Sequence, residues 1–375
     1  MLRGAPSGWQ RPCRTHLYMA AHAVSASRNE TRDLCVVIPA FNEEKLIGRC
    51  VRSVLVAGVS PRNVFVIDDC SSDGTAAIVE GFVGVNLVRN TERRGKACSL
   101  RLVLAAQALA DRFKYVALID ADSYVAADYF DIVRRTFEGD PEAVLVCGSP
   151  RGERHNYLTA FRTFDYALAL FVFRRGQDSL KVITVAPGCA STYRTSIINQ
   201  LDWEGGTLVE DMDLTVQIHR RRLGTVRYAA AAVTFTQDPR TIRGYLGQIR
   251  RWYSGTWQVM RLHRLPFGRQ RIDAEFALLV GEGLFYSALV LALPLLAVAS
   301  PAAALRWILL DQAVSAAAAV IAAASLRRID IVLSFPTFVV LRVLGCVVLL
   351  QTFWAEIIRK RTLQTWFSVG RYEIK

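Results

Sequence analysis

Carboxylates recur in this 375-residue chain in short clusters whose spacing suggests chemistry. Asp120 and Asp122 are separated by one residue and follow the apolar run Tyr115-Val-Ala-Leu-Ile119. Residues two apart at the end of a strand project to the same side, so both carboxylates can serve one site. Hard divalent cations take oxygen ligands, and Mg²⁺ typically uses one or two carboxylates plus phosphate oxygens. Such a metal would neutralise charge building on a departing diphosphate. An isolated Asp-x-Asp is more often a solvated turn, and its place after an apolar strand is what favours a site. Glu210-Asp211-Met212-Asp213 opens an amphipathic stretch (Leu214, Val216, Ile218). Acids in a first helical turn are favoured by the helix dipole whether or not they take part in chemistry. His219 lies on the same stretch without a second histidine or cysteine at ligand spacing, which makes it a poor metal ligand.

These clusters need a scaffold, and the apolar runs between them supply one. Leu34-Cys-Val-Val-Ile38 is a short strand-like run followed by Pro39-Ala-Phe-Asn-Glu-Glu44 and a helical pattern through Leu55. Val64 to Ile67 is a second run, ending in Asp68-Asp69 and the turn-rich Ser71-Ser-Asp-Gly-Thr75. Val83 to Val88 is weaker, a helix through Ala110 follows Gly95-Lys96, and Val144 to Cys147 closes the series after Tyr115 to Ile119. Strands alternating with helices imply an α/β fold, a mostly parallel sheet flanked by helices. Ligands in such sheets sit outside the carboxyl ends of the strands, where most of the polar clusters fall. Neither G-x-G-x-x-G nor GxxxxGK[ST] is present, which argues against an NAD enzyme and a P-loop nucleoside triphosphatase.

The chain is 52% hydrophobic with a formal net charge of +13, and only six of its cations are lysines. The apolar content excludes a disordered tail protein. Eight scattered cysteines without a CxxC pair exclude a disulfide scaffold and a structural zinc site. Gly283 to Leu305 holds 23 residues without a charge; Trp307 to Leu326 carries only Asp311, and Ile331 to Ala355 only Arg342. A helix of about 20 apolar residues spans the hydrocarbon core, so three membrane helices are expected. Between Arg240 and Arg271 stand eight arginines and no acid, interleaved with Tyr245, Trp252, Tyr253, Trp257 and Phe267. That composition suits helices lying in a layer of anionic lipid headgroups better than it suits a nucleic-acid groove. Residues 1–32 carry five arginines and no apolar core, and read as a poorly ordered basic tail rather than a secretory signal.

In order along the chain, PAFNEE (39–44), VIDDCSSDGT (66–75), RRGKA (93–97), DAD (120–122), VED (209–211) and QIRRW (248–252) resemble the membrane-bound members of glycosyltransferase family 2. That group includes hyaluronan, cellulose, chitin-oligosaccharide and poly-N-acetylglucosamine synthases. The resemblance implies a GT-A fold and an inverting, metal-dependent transfer from a nucleotide-diphospho-sugar, with the QxxRW motif leaning towards a UDP-sugar. It implies that Pro39, Ala40, Asn42, Glu43, Asp68, Asp69, Lys96 and Asp120 bind the donor, and that Asp122 with Asp120 holds Mg²⁺ or Mn²⁺. Asp211, beside Glu210, would be the catalytic base, while Gln248, Arg251 and Trp252 would close over the diphosphate and the acceptor. The acceptor would be a carbohydrate or a lipid-linked hydroxyl. One carboxylate to activate the incoming hydroxyl and cations at the leaving diphosphate are what this reaction requires.

The expected organisation is a basic tail (1–32), a GT-A catalytic domain (33–239), basic interfacial helices carrying QxxRW (240–273), two or three transmembrane spans (274–358) and a basic cytoplasmic tail (359–375). The setting would be the inner face of the cytoplasmic membrane, with nucleic acid excluded as a partner. A catalytic domain and a tail on the same side require an even number of crossings, whereas three tracts are counted. Either the third, interrupted by Pro336 and Arg342, is re-entrant or lies flat, or the tail is external. Within the class, processive synthesis and single-sugar transfer to a polyprenyl phosphate both remain open. Outside it stands a membrane-associated sugar- or nucleic-acid-binding protein.

Overall fold

The computed structural model describes residues 33–362 and residue 372, so the expected tail 1–32 and most of 359–375 lie outside the described residues. Its strands are β1 (Leu34–Ala40), β2 (Val64–Asp68), β3 (Asn86–Arg89), β4 (Tyr115–Leu118), β5 (Ser123–Val125), β6 (Ala143–Gly152), β7 (Ser191–Arg194) and β8 (Thr225–Thr236). They form one sheet in the order β3-β2-β1-β4-β7-β6-β8-β5. The run β3-β2-β1-β4 is parallel, because each connection passes through a helix. β7 then enters antiparallel to both β4 and β6, so the sheet is mixed rather than nearly all parallel. Sequence patterning could not supply this half. β5 has three residues, β7 is the polar Ser-Thr-Tyr-Arg, and β8 has four alanines in its middle, which dilute the β-branched signal of Val233-Thr-Phe-Thr236.

Burial on both faces explains the continuous apolar strands. Along β1, Val36 and Ile38 point into one core with Ile47, Val51 and Val54 of α1 (Ile47–Val56). The alternate residues Cys35 and Val37 point into the other, with Leu100 and Val103 of α3 (Lys96–Ala106). The expected helix through Ala110 breaks at Gln107-Ala108, and α4 (Leu109–Arg112) follows. The remaining helices of the α/β part are α2 (Thr75–Glu80), α5 (Tyr129–Gly139), α6 (Tyr157–Leu168), α7 (Arg174–Leu180) and α8 (Glu210–Arg221).

Beyond the sheet come α9 (Ile242–Leu262), α10 (Arg271–Ala299), α11 (Pro301–Leu326) and α12 (Asp330–Phe353). The last three are long and apolar enough to cross a membrane. Their limits differ from the uncharged tracts. α10 starts at Arg271, where Gln270 and Asp273 form a capping box, and ends before Ser300. The tract from Gly283 to Leu305 therefore straddles a helix break, with Pro301 at the first position of α11. Pro336 does not interrupt α12, which runs through it as one helix.

Candidate active site

The loops after β1 and β2 hold each other. Asn42, at φ 55°, accepts from the backbone of Ser72 at 2.8 Å, and Glu44 accepts from the Gly74 N–H at 3.0 Å. The Glu43 N–H donates to Thr75 Oγ1 at 2.8 Å. Pro39 and Ala40 form the end of β1, paired with Ile67 and Asp68 of β2. Asp68 accepts from the Ser71 N–H at 3.0 Å. Asp69 accepts from Asn90, Ser99 and the backbone of Arg94 and Gly95, all within 3.0 Å. Burial alone would raise its pKa, but these four donors together hold it below the usual aspartate range. Part of the acidic character of these motifs is thus spent on shaping the rim, and Asp69 in particular pins the loop that delivers Lys96.

Lys96 opens α3 and crosses the mouth of the sheet. Its Nζ lies 2.7 Å from Asp120 and 2.8 Å from Glu210, joining two motifs that are distant in sequence. These two carboxylates hold the ammonium well above the ordinary lysine range against the opposing effect of burial. Asp120 and Asp122 flank the buried Ala121 beyond the end of β4, in a turn rather than on the strand itself. Burial first, and then the charges of Asp120 and Asp122, push the Cys189 thiol well up. The Gly188 N–H donates to Asp211 Oδ2 at 3.1 Å, and Met212 N–H to Oδ1 at 2.8 Å. Burial, followed by the neighbouring Glu210, raises the Asp211 pKa, while Lys96 and the two N–H donors oppose the rise. A side chain at Gly188 would place a Cβ 2.7 Å from Lys96 Nζ, so the ammonium would have to shift to make room for it.

The first turn of α8 does not use its acids as an N-cap, since Val209 occupies that position without a side-chain bond. Instead, Glu210 goes to Lys96, Asp211 to Gly188, and Asp213 to His263. His219 bonds the carbonyl of Ile183 at 2.8 Å. Among the described residues no group of three or more His, Cys, Asp or Glu side chains is arranged to hold a metal. Asp120 and Asp122 are two carboxylates that could hold a cation, and so small a set suits an ion that also takes phosphate oxygens from a bound diphosphate.

Gln248, Arg251 and Trp252 share one face of α9 at i, i+3, i+4 spacing. Arg251 donates to the Leu208 carbonyl at 3.3 Å, two residues before Glu210. Val209 fits against Gly255, where a Cβ would stand 2.6 Å from Val209 Cγ1, so the helix seats directly on the acid pair. The structure also supplies groups that sequence reasoning missed. Arg162 of α6 is buried, bonds Asp165 at 3.0 Å, lies 3.8 Å from buried Asp238, and stacks over Trp252 at 4.8 Å. Burial raises both aspartates to about 6. The sequence signal of Arg162 and Asp165 was charge inside an otherwise apolar helix, while Asp238 stands in the loop after β8. One face of Trp252 is thus covered by a guanidinium.

Residues 32–255, well over half of the chain, match the family described as glycosyltransferase like family 2. The chain belongs to that family. Poly-beta-1,6-N-acetyl-D-glucosamine synthase of Staphylococcus aureus is 25% identical over 240 residues, covering 62% of this chain and 56% of the relative. The Staphylococcus epidermidis enzyme of the same name is 24% identical over 242 residues, covering 63% of this chain and 58% of the relative. This chain therefore spans just over half the length of both. The mannosyltransferase PcManGT from Pyrobaculum calidifontis, solved with GDP-Man and Mn²⁺, shares the fold with a TM-score of 0.58 at 20% identity. That alignment covers 84% of this chain and 88% of the other, and the shared architecture is the GT-A glycosyltransferase fold followed here by apolar helices.

Proposed function

We propose that the protein is an inverting glycosyltransferase that moves a sugar from a nucleotide-diphospho-sugar, probed first as a UDP-sugar, to a hydroxyl acceptor at the inner membrane face. The observation that carries this reading is the junction at Lys96, which brings Asp120 and Glu210 to one point beside Asp211. Pro39, Ala40, Asn42, Glu43, Asp68 and Asp69 form the rim that receives the nucleoside. Asp122 and Asp120 would hold Mg²⁺ or Mn²⁺ together with donor phosphate oxygens, and such a cation supplies positive charge to the departing diphosphate. Asp211 accepts the proton of the acceptor hydroxyl. Its raised pKa suits a base that must capture that proton, and its two N–H donors fix the direction of its lone pairs. Gln248, Arg251 and Trp252 border the acceptor side, with Arg251 available to the diphosphate.

The test is incubation of purified protein with a panel of nucleotide sugars and Mg²⁺ or Mn²⁺, following nucleoside diphosphate release and product size. No release with any donor would end the reading. A ladder of products indicates processive synthesis, and a single adduct indicates transfer to a lipid or other acceptor.

A further inference from the structure

We propose that only α10 and α11 cross the bilayer, as a hairpin turning at Ser300-Pro301, while α12 lies along the membrane-facing side of the catalytic domain. The chain beyond α12 is then on the same side as that domain. The inference rests on the reading of the protein as membrane-bound.

α12 touches the α/β part of the protein over its first half and α9 over its second. Just before its start, Arg328 donates to the Gly152 carbonyl at 3.3 Å, and Asp330 faces Arg154 at 3.8 Å. At its middle, Phe338 packs on Phe161 and Phe164 of α6, with ring centroids 5.1 and 5.2 Å apart. Towards its end, Thr352 accepts from Trp257 at 3.1 Å, and Gln258 donates to Glu356 at 2.8 Å. α9 thus runs beside the second half of α12. An α12 that crossed the hydrocarbon would carry α9 with it, together with Arg243, Arg250, Arg251 and Arg261. Guanidinium groups at that depth are strongly disfavoured.

α10 and α11 meet the α/β part and α9 near Ile272–Phe276 and Ala319–Ala323, and beyond those points they pack on each other and on α12. Only 11% and 17% of their most apolar windows is buried, against 33% for α12. Phe285, Leu295 and Val298 of α10 and Leu305, Leu309, Leu310 and Val314 of α11 are exposed. α10 leaves the domain where Asp273 pairs with Arg220 at 2.6 Å, and α11 returns to it next to Arg328. With 29 and 26 residues they reach about 43 and 39 Å, enough for a hydrocarbon core of about 30 Å. Arg342, the charge inside α12, turns away from lipid to Asp311 at 2.7 Å. What α12 leaves bare is a stripe including Leu333, Val340 and Val343, suited to the boundary between headgroups and acyl chains.

The end of the chain agrees. Arg261 donates to Thr362 Oγ1 at 3.0 Å. Gln237 bonds both backbone groups of Tyr372, at 2.8 and 3.2 Å, and the Tyr372 hydroxyl donates to the Asp238 carbonyl at 3.1 Å. A tail held on the catalytic domain requires an even number of crossings.

The experiment is labelling of full-length protein in sealed, uniformly oriented vesicles with a membrane-impermeant maleimide, read peptide by peptide. Ala302→Cys reports the hairpin turn and Arg361→Cys the chain after α12, while exposed Cys70 marks the catalytic side. The expected result is that the cysteine at 361 labels with Cys70, and that at 302 only after permeabilisation. Labelling of 361 together with 302, and not with Cys70, would overturn the proposal in favour of three crossings. Labelling of all three in sealed vesicles would remove the membrane reading itself, and this inference with it.

Discussion

Two clusters of charged side chains organise this molecule, and they are built on opposite principles. At the mouth of the sheet, Lys96 meets Asp120 and Glu210, with Asp211 beside them across Gly188. One cation faces three acids there. Between the apolar helices, Asp311 and Arg342 form a two-pronged pair at 3.0 and 2.7 Å. Tyr286 donates to Asp311 at 3.0 Å, and Arg342 donates to Ser315 at 2.7 Å. One charge of each sign closes on itself. An unbalanced cluster at strand ends stores an affinity for incoming cations, whereas a balanced one between helices only fastens them.

The sharpest way to break the contrast is Asp211→Asn. Turnover should fall by about 10²–10⁴-fold, the range for loss of a general base, while donor affinity changes little. Comparable turnover in steady-state assays would remove the base. Asp122→Ala, or chelation of the wild type with EDTA, should suppress transfer by roughly 10²–10³-fold, on the scale of losing one electrostatic stabiliser of the leaving group. Full activity in EDTA contradicts a cation at that pair. The balanced cluster should behave differently. Arg342→Met alone should destabilise the protein by about 3–5 kcal/mol in a detergent melt, and adding Asp311→Leu should recover much of the loss. Turnover per folded molecule should stay near wild type in both.

A pH profile separates the clusters more gently. Asp211 works as a base only when ionised, and burial beside Glu210 raises its pKa. The acid limb of kcat/KM should therefore lie above the ordinary aspartate range, with activity lost as pH falls through it. A rate unchanged down to pH 4 would contradict the assignment. Smallest of all, Gly255→Ala should cost about 1–3 kcal/mol by pressing α9 off Val209, detectable in thermal unfolding.

Much of the scaffold was readable because its signals are local. The apolar runs at Leu34, Val64 and Tyr115 and the helical spacing of Ile47, Cys50, Val51 and Val54 each fit within a few neighbouring residues. The acid motifs stood out for the same reason, at strand ends where an α/β sheet receives ligands. The cluster around Arg162 was not readable, because its meaning depends on Asp238 and Trp252, which approach it only through packing. Asp69 shows the same limit from the other side. Its motif suggested a nucleoside contact, but only the structure shows that its carboxylate also takes four donors that shape the Lys96 loop.

By itself the sequence determined which residue types stand at the ends of which strands, and how long and how apolar the later helices are. Periodicity and run length are properties of adjacent residues, and burial rewards them wherever the chain goes. Only the tertiary structure decided that β7 enters the sheet reversed, that Lys96 joins two remote acid motifs, and that α12 has a protein surface along one side. Those outcomes come from contacts between distant segments. A helix of Val, Leu and Phe serves equally well against lipid or against α6 and α9, so composition could not choose between them.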